Sequence, residues 1–164
     1  MDRLWSPWRY RYVTRPASGE ECIFCRAGSE TDKDAENFVV HRGRYNFVIL
    51  NIYPYTSGHL MVAPFAHVST LVEAPEEALA EMMQLTRLAE RHLREVYRPD
   101  GLNIGMNIGK AAGAGVANHI HMHVLPRWSG DANFMTAVGE TRVMPESLSI
   151  TFERLTAAWK ELRP

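Results

Sequence analysis

A chain of 164 residues with 46% hydrophobic and 23% charged residues is ordinary globular composition, sized for one core rather than two. A formal net charge of -1 gives no reason to expect long polyanionic partners. No nucleic-acid partner is expected, and any bound anion must be small and held by backbone amides, histidines or one or two cations.

No apolar run reaches signal-peptide or membrane-spanning length, so no membrane partner is expected. Trp5, Trp8, Tyr10 and Tyr12 alternate with Arg3, Arg9 and Arg11, and Cys22-Ile23-Phe24-Cys25 follows. With two cysteines only, spaced C-x-x-C, a reducing and therefore cytoplasmic setting is expected, and a metal or redox role is favoured over a structural disulfide. No helical pattern begins at Cys22, which weighs against redox chemistry and leaves a metal knuckle or idle thiols. Residues 28–36, rich in Asp, Glu, Ser and Lys, read as an exposed loop. Apolar stretches at 37–41, 45–51 and 58–64, broken by Arg42-Gly43-Arg44 and Tyr53-Pro54-Tyr55, predict an antiparallel meander. From Pro75 and Glu76 to Pro99, Leu79, Met82, Met83, Thr86, Ala89, Leu93 and Val96 recur at three- and four-residue steps and predict a long helix. Residues 102–108 and 119–125 read as strands around a glycine-rich connection. A last helix from Pro145 carries Leu148, Phe152, Leu155, Trp159 and Leu162 on one stripe. Strands, a long helix, then strands predict an α+β domain with an antiparallel sheet.

The most informative segment is Asn118-His119-Ile120-His121-Met122-His123-Val124-Leu125-Pro126-Arg127-Trp128. In an extended strand, i and i+2 side chains share a face roughly 6–7 Å apart, so His119, His121 and His123 line one face and Ile120, Met122 and Val124 the core side. Imidazole serves as nucleophile, acid, base or ligand near neutral pH. Metalloenzyme chemistry is a second reading of H-x-H, weakened by the lack of a nearby carboxylate to act as base. No nucleophile-elbow motif points to a Ser-His-Asp triad.

The run His119 to Leu125, three histidines alternating with apolar residues and ending in two more, resembles the signature of the histidine triad family. The match extends through Asn51, Gly58-His59-Leu60-Met61-Val62 and Asn107. The resemblance implies a single domain over 1–164, with arm, knuckle and loop in 1–36, catalytic core in 37–128 and a C-terminal extension and helix in 129–164. It implies a five-stranded antiparallel sheet with the long helix packed on it, and a homodimer with sheets joined side by side. It further implies that His121 attacks the α-phosphorus of a nucleotide to form a covalent nucleotidyl-imidazole. His123 and His59 would hydrogen-bond phosphate oxygens or the leaving group, Asn107 would donate to the phosphate, and Asn51 takes the ribose-binding position. By the same resemblance Cys22, Cys25, His67 and His119 would hold a structural zinc ion, leaving His121 free.

Gly105, Gly109, Gly113 and Gly115 suggest a phosphate-cradling loop. It is not a P-loop: the spacing is one residue short, Ala111 stands at the Ser/Thr position and a strand follows. Gly115 stands where hydrolases of the family carry glutamine, and Val116 where the phosphoramidase branch carries a hydroxyl. The space opened at Gly115 leads to the expectation that inorganic phosphate is the acceptor, so that diadenosine tetraphosphate yields ADP and ATP, with Gly113 and Gly115 in the substrate-binding loop. The start Leu4-Trp5-Ser6-Pro7-Trp8-Arg9 and the segment from Pro126 to Phe134 fit that branch, with Arg127 and Trp128 as contacts to polyphosphate or a second base, or else a turn with a packed indole. Hydrolysis to AMP and ATP, adenosine phosphoramidate hydrolysis and a non-catalytic nucleotide-binding module are the alternatives.

Overall fold

A computed structural model describes residues 22–132, 136, 138–139 and 146–161. The aromatic and basic start, Asn133, Phe134, Pro145 and Leu162 lie outside them, and so do the expectations placed there. The described elements run in chain order as α1 (Ile23–Ser29), β1 (Val39–Arg42), β2 (Asn46–Leu50), β3 (Leu60–Pro64), α2 (Glu76–Tyr97), β4 (Gly101–Met106), a 3-10 turn (Lys110–Ala112), β5 (Met122–Arg127) and α3 (Leu148–Glu161). The sheet has five strands in the order β1-β2-β3-β5-β4, every pair antiparallel. This is the α+β architecture expected, with the meander in place. No described helix is long and apolar enough to cross a membrane.

Period-two alternation sorts the sheet into two buried faces. Val48, Leu50, Leu60, Val62 and Val124 pack with Met82, Leu85, Ala89 and Leu93 of α2 and Leu155 and Trp159 of α3. Phe47, Ile49, Met61 and Ala63 point the other way, onto Phe24 and Ala27 of α1. Burial on both faces explains why all five residues of β2 and of β3 are inaccessible.

The long helix starts where Pro75 supplies a pre-set φ and Glu76 and Glu77 complement the dipole. It stops at Arg98, in the left-handed region at φ 46°, with Pro99 barring continuation. One predicted stripe residue is misplaced: Met83 is exposed and Leu85 is buried. At about 100° per residue, Met82, Leu85, Ala89 and Leu93 share a line that Met83 leaves.

Two polar anchors fix the edges. Glu81 accepts the N–H groups of Arg44, Tyr45 and Asn46 and the Asn46 amide, at 2.6–2.8 Å, pinning the β1–β2 turn to α2. Arg42 donates to the carbonyls of Gly28, Ala27 and Glu30 and to Asp34, and so takes up free carbonyls at the C-terminal end of α1.

Two expectations are corrected. A helix does begin after Cys22, and it runs into the stretch read as loop, to Ser29. Seven residues with only Phe24 and Ala27 buried are too few for a periodic signal to show. The histidine strand begins at Met122 rather than His119, because Ile120 N–H bonds Val68 O outside the sheet and the His119 carbonyl is taken by a side chain.

Candidate active site and metal centre

Met61 pairs with His123 across β3 and β5, and Gly105 pairs with His123 across β4 and β5. His123 therefore projects from the face that carries Met61, opposite α2. His59, one residue before β3, reaches the same place because Gly58 turns the chain at φ +82°. A Cβ on Gly58 would lie 3.0 Å from Tyr97 and 3.1 Å from Leu93, so glycine is required there.

Backbone partners of fixed polarity decide the tautomer of each ring. The amides Tyr53 N–H and Tyr55 N–H can only donate: the first bonds Asn51 Oδ1 (2.9 Å) and the second His59 Nδ1 (3.2 Å). Asn51 Nδ2 is thereby turned toward His59 Nδ1 at 3.4 Å. With Nδ1 accepting, His59 carries its proton on Nε2 and donates to His123 Nδ1 at 2.9 Å. The proton of His123 then sits on Nε2. His121 Nδ1 donates to the His119 carbonyl at 2.9 Å, which leaves a lone pair on His121 Nε2. The His121 and His123 rings meet edge to face, with centroids 4.8 Å apart.

The electrostatics agree with neutral rings. Burial pushes His59 down to about 3, and positive charge on His123 or His121 would disfavour its protonation further. Burial likewise takes His123 to about 4. It lowers His121 too, against the opposing pull of the His119 carbonyl.

His119 shares the run but not the pocket. Its Nε2 donates to Pro64 O at 2.8 Å, and its Nδ1 faces Cys22 Sγ at 3.3 Å and Cys25 Sγ at 3.6 Å. Cys25 Sγ lies 3.1 Å from His67 Nδ1. The four donor atoms all fall within 4.8 Å of one another, so this group could hold a metal ion. Ligands about 2.0–2.3 Å from a tetrahedral ion sit about 3.3–3.8 Å apart, close to the spacing here. A ligating histidine whose second nitrogen is bound by a carbonyl is held in the required tautomer, as His119 is by Pro64. Phe24, inside C-I-F-C, separates the two clusters: its ring is 5.2 Å from His119 and 4.8 Å from His121.

Other expected residues are placed as follows. Asn107 is partly buried just beyond β4, Gly113 caps the 3-10 turn at φ 89°, and Gly115 is exposed in the loop leading to His119. Arg127 forms two bonds to Asp131 (2.6 and 2.9 Å) and one to Asn103 (2.7 Å). Trp128 N–H bonds Asp131, and its ring meets Tyr97 edge-on. Among the described residues, no hydrogen bond or ring contact joins Arg127 or Trp128 to the histidines.

Reasoning from sequence missed Phe24, Tyr55 and Arg42. Tyr55 tilts over His59 (4.9 Å) and reaches His123 (6.2 Å). The only sequence signals were the apolar filler of the cysteine pair, the aromatic pair around Pro54 and an arginine at a strand end.

Comparison with known proteins follows the same lines. The model of the HIT domain matches residues 32–130. The chain is 39% identical to the AP-4-A phosphorylase of Mycobacterium tuberculosis, over 97% of this chain and 85% of that protein. It is 32% identical to the protein hit of Bacillus subtilis, over 79% and 88%. Among solved structures, a Zn-bound histidine triad family protein from Mycobacterium smegmatis superposes with a TM-score of 0.69 at 34% identity, covering 86% of this chain and 94% of that one. With the domain model spanning the sheet and the histidine cluster, and relatives matching along nearly the whole chain, this protein belongs to the HIT domain family.

Proposed function

We propose that the chain is an enzyme that transfers a nucleotidyl group through His121, splitting diadenosine tetraphosphate with inorganic phosphate to ADP and ATP. The observation that carries this reading is the lone pair left on His121 Nε2 by the bond from Nδ1 to the His119 carbonyl. A neutral imidazole so held is a nucleophile without a separate base. Attack on the α-phosphorus forms a P–N bond and breaks the P–O bond to the departing ATP. The His123 Nε2–H, held outward by His59, donates to an oxygen on which charge builds. A phosphate oxygen then attacks the same phosphorus, the P–N bond breaks, and ADP leaves with the His121 lone pair restored.

Asn107 is assigned to the phosphate, and the backbone around Gly113 and Gly115 to the incoming acceptor. Asn51 is assigned to the ribose: with Oδ1 accepting from Tyr53 N–H and Nδ2 turned to His59, its amide keeps a second N–H and a second lone pair for a hydroxyl. Arg127 and Trp128 are left out of the substrate site, since the guanidinium is committed to Asp131 and Asn103. Support from relatives is the similarity to a protein named AP-4-A phosphorylase. Val116, which packs against the cluster around Phe24, gives no hydroxyl for phosphoramidate chemistry.

The metal is assigned as zinc, held by Cys22, Cys25, His67 and His119, a donor set of two thiolates and two imidazoles that suits this ion. Bound zinc supplies a structural tie between α1 and the segment entering β5. A reducing, cytoplasmic setting is proposed, in keeping with two cysteines that are not joined in a disulfide. Two copies are proposed to join along β4, the edge strand beside β5, which leaves Ile104 exposed.

Product analysis tests the reaction. Incubation with diadenosine tetraphosphate is expected to give ADP and ATP only when phosphate is present. AMP and ATP at equal rates with and without phosphate would assign water as the acceptor, and unchanged turnover by His121→Ala would remove the covalent route altogether.

A further inference from the structure

Residues 51–58 join β2 to β3 beside the histidines and carry Tyr53 and Tyr55 on either side of Pro54. Exposed aromatic loops are ordinarily mobile, but this one is tied down. Tyr53 N–H bonds Asn51 Oδ1, Tyr55 N–H bonds His59 Nδ1, His59 N–H bonds Thr56 O, and the Thr56 hydroxyl bonds Pro126 O. The rings nonetheless face solvent, Tyr53 at 66% and Tyr55 at 37% exposure. Tyr55 leans on both His59 and His123, so one edge of the rim is aromatic where the reacting phosphate is proposed to sit. Among the described residues, Arg127 at the end of β5 bonds Asp131 and Asn103. The ring contacts along this edge, among the described residues, are those of Tyr55 with His59 and His123.

We infer that Tyr53 and Tyr55 form a stacking platform for a nucleobase, either that of the nucleotide transferred to His121 or that of the one released. The inference rests on the nucleotide-transfer reading above. A rigid, pre-exposed aromatic pair suits this use, because stacking on it needs little ordering of the protein and tolerates any base.

Calorimetric binding, which does not depend on turnover, tests it with three probes: AMP, diadenosine tetraphosphate with a methylene in place of each α,β-bridging oxygen, and inorganic tripolyphosphate. Tyr53→Ala and Tyr55→Ala are expected to weaken base-bearing probes about 5- to 150-fold and leave tripolyphosphate unchanged. Weakening of AMP and the dinucleotide assigns the platform to the transferred base, and weakening of the dinucleotide alone assigns it to the departing one. The exposed positions leave Tm nearly unchanged on substitution, and Tyr→Phe is expected to retain affinity. Equal weakening of all three probes, no weakening of any, or a loss with Phe as large as with Ala overturns the platform. Those outcomes leave nucleotidyl transfer standing so long as the products appear as proposed. Wild-type protein that binds neither nucleotide at millimolar concentration overturns both.

Discussion

His59 Nε2 lies 2.9 Å from His123 Nδ1, and the His59 ring accepts from Tyr55 N–H on its far side, so one backbone amide sets the proton position on two imidazoles in series. Removing the middle of this chain should expose its value. His59→Phe is expected to lower kcat/KM by about 10²- to 10⁴-fold, within the range for a positioned proton donor, and to cost about 1–3 kcal/mol of stability through the Tyr55 N–H and His123 Nδ1 left unpaired. A KM effect with kcat intact would show that His59 only binds substrate.

The same burial that keeps the rings neutral predicts the pH profile. His123 is held down to about 4, and burial also lowers His121, so the acid limb of kcat/KM is expected below about pH 5 rather than at the ordinary histidine value near 6.5. A limb centred at 6.5 would mean that a solvated histidine controls the rate.

His92 offers a stability test away from the site. It is wholly buried where α2 meets α3, its ring tilted against Trp159 with centroids 4.3 Å apart and neither ring nitrogen hydrogen-bonded. Burial holds it down to about 4, with positive charge on Arg91 and His41 as lesser causes. The unfolded chain therefore takes up a proton below about pH 6.5 that the folded one refuses, and stability falls from there to about pH 4, by about 2–3 kcal/mol. His92→Phe should flatten this slope in urea melts at pH 5 and 7, and raise stability at pH 7 by about 1–3 kcal/mol through removal of two unpaired nitrogens.

Arg42 ties the end of α1, the helix that carries Cys25, to the sheet, so Arg42→Met is expected to destabilise by about 2–3 kcal/mol. Faster metal loss to a colorimetric chelator should accompany it. A stability loss with unaltered release kinetics would separate the anchor from the metal centre.

Elemental analysis should find one zinc per chain, absent in Cys25→Ser. Stripping the ion is expected to lower Tm by about 6–12 °C, the equivalent of about 3 kcal/mol for a domain this size. An unchanged Tm and no bound zinc would return the cysteines to idle thiols.

Periodicity along the sequence determined much of this protein. The alternation from His119 to Leu125 assigned Ile120 and Val124 to the core, where both are buried, and the three- and four-residue steps after Pro75 located α2. These are local properties, set by side-chain direction along a single element. Met83 and the helix at Ile23 escaped for the same local reason, one by a 100° rotation and the other by shortness.

The division of labour among the histidines was not local. His119 and His121 are two residues apart in the same pattern, yet one faces sulfur and the other a pocket, and the difference lies in partners far along the chain. Pro64 O binds His119 Nε2 and turns its Nδ1 to the cysteines, Phe24 stands between the clusters, and Tyr55 N–H fixes His59 and through it His123. Sequence alone determined that three imidazoles alternate with apolar residues in one run. Only the tertiary structure decided which nitrogen of each carries the proton, because that depends on backbone donors and acceptors brought up by other strands and loops.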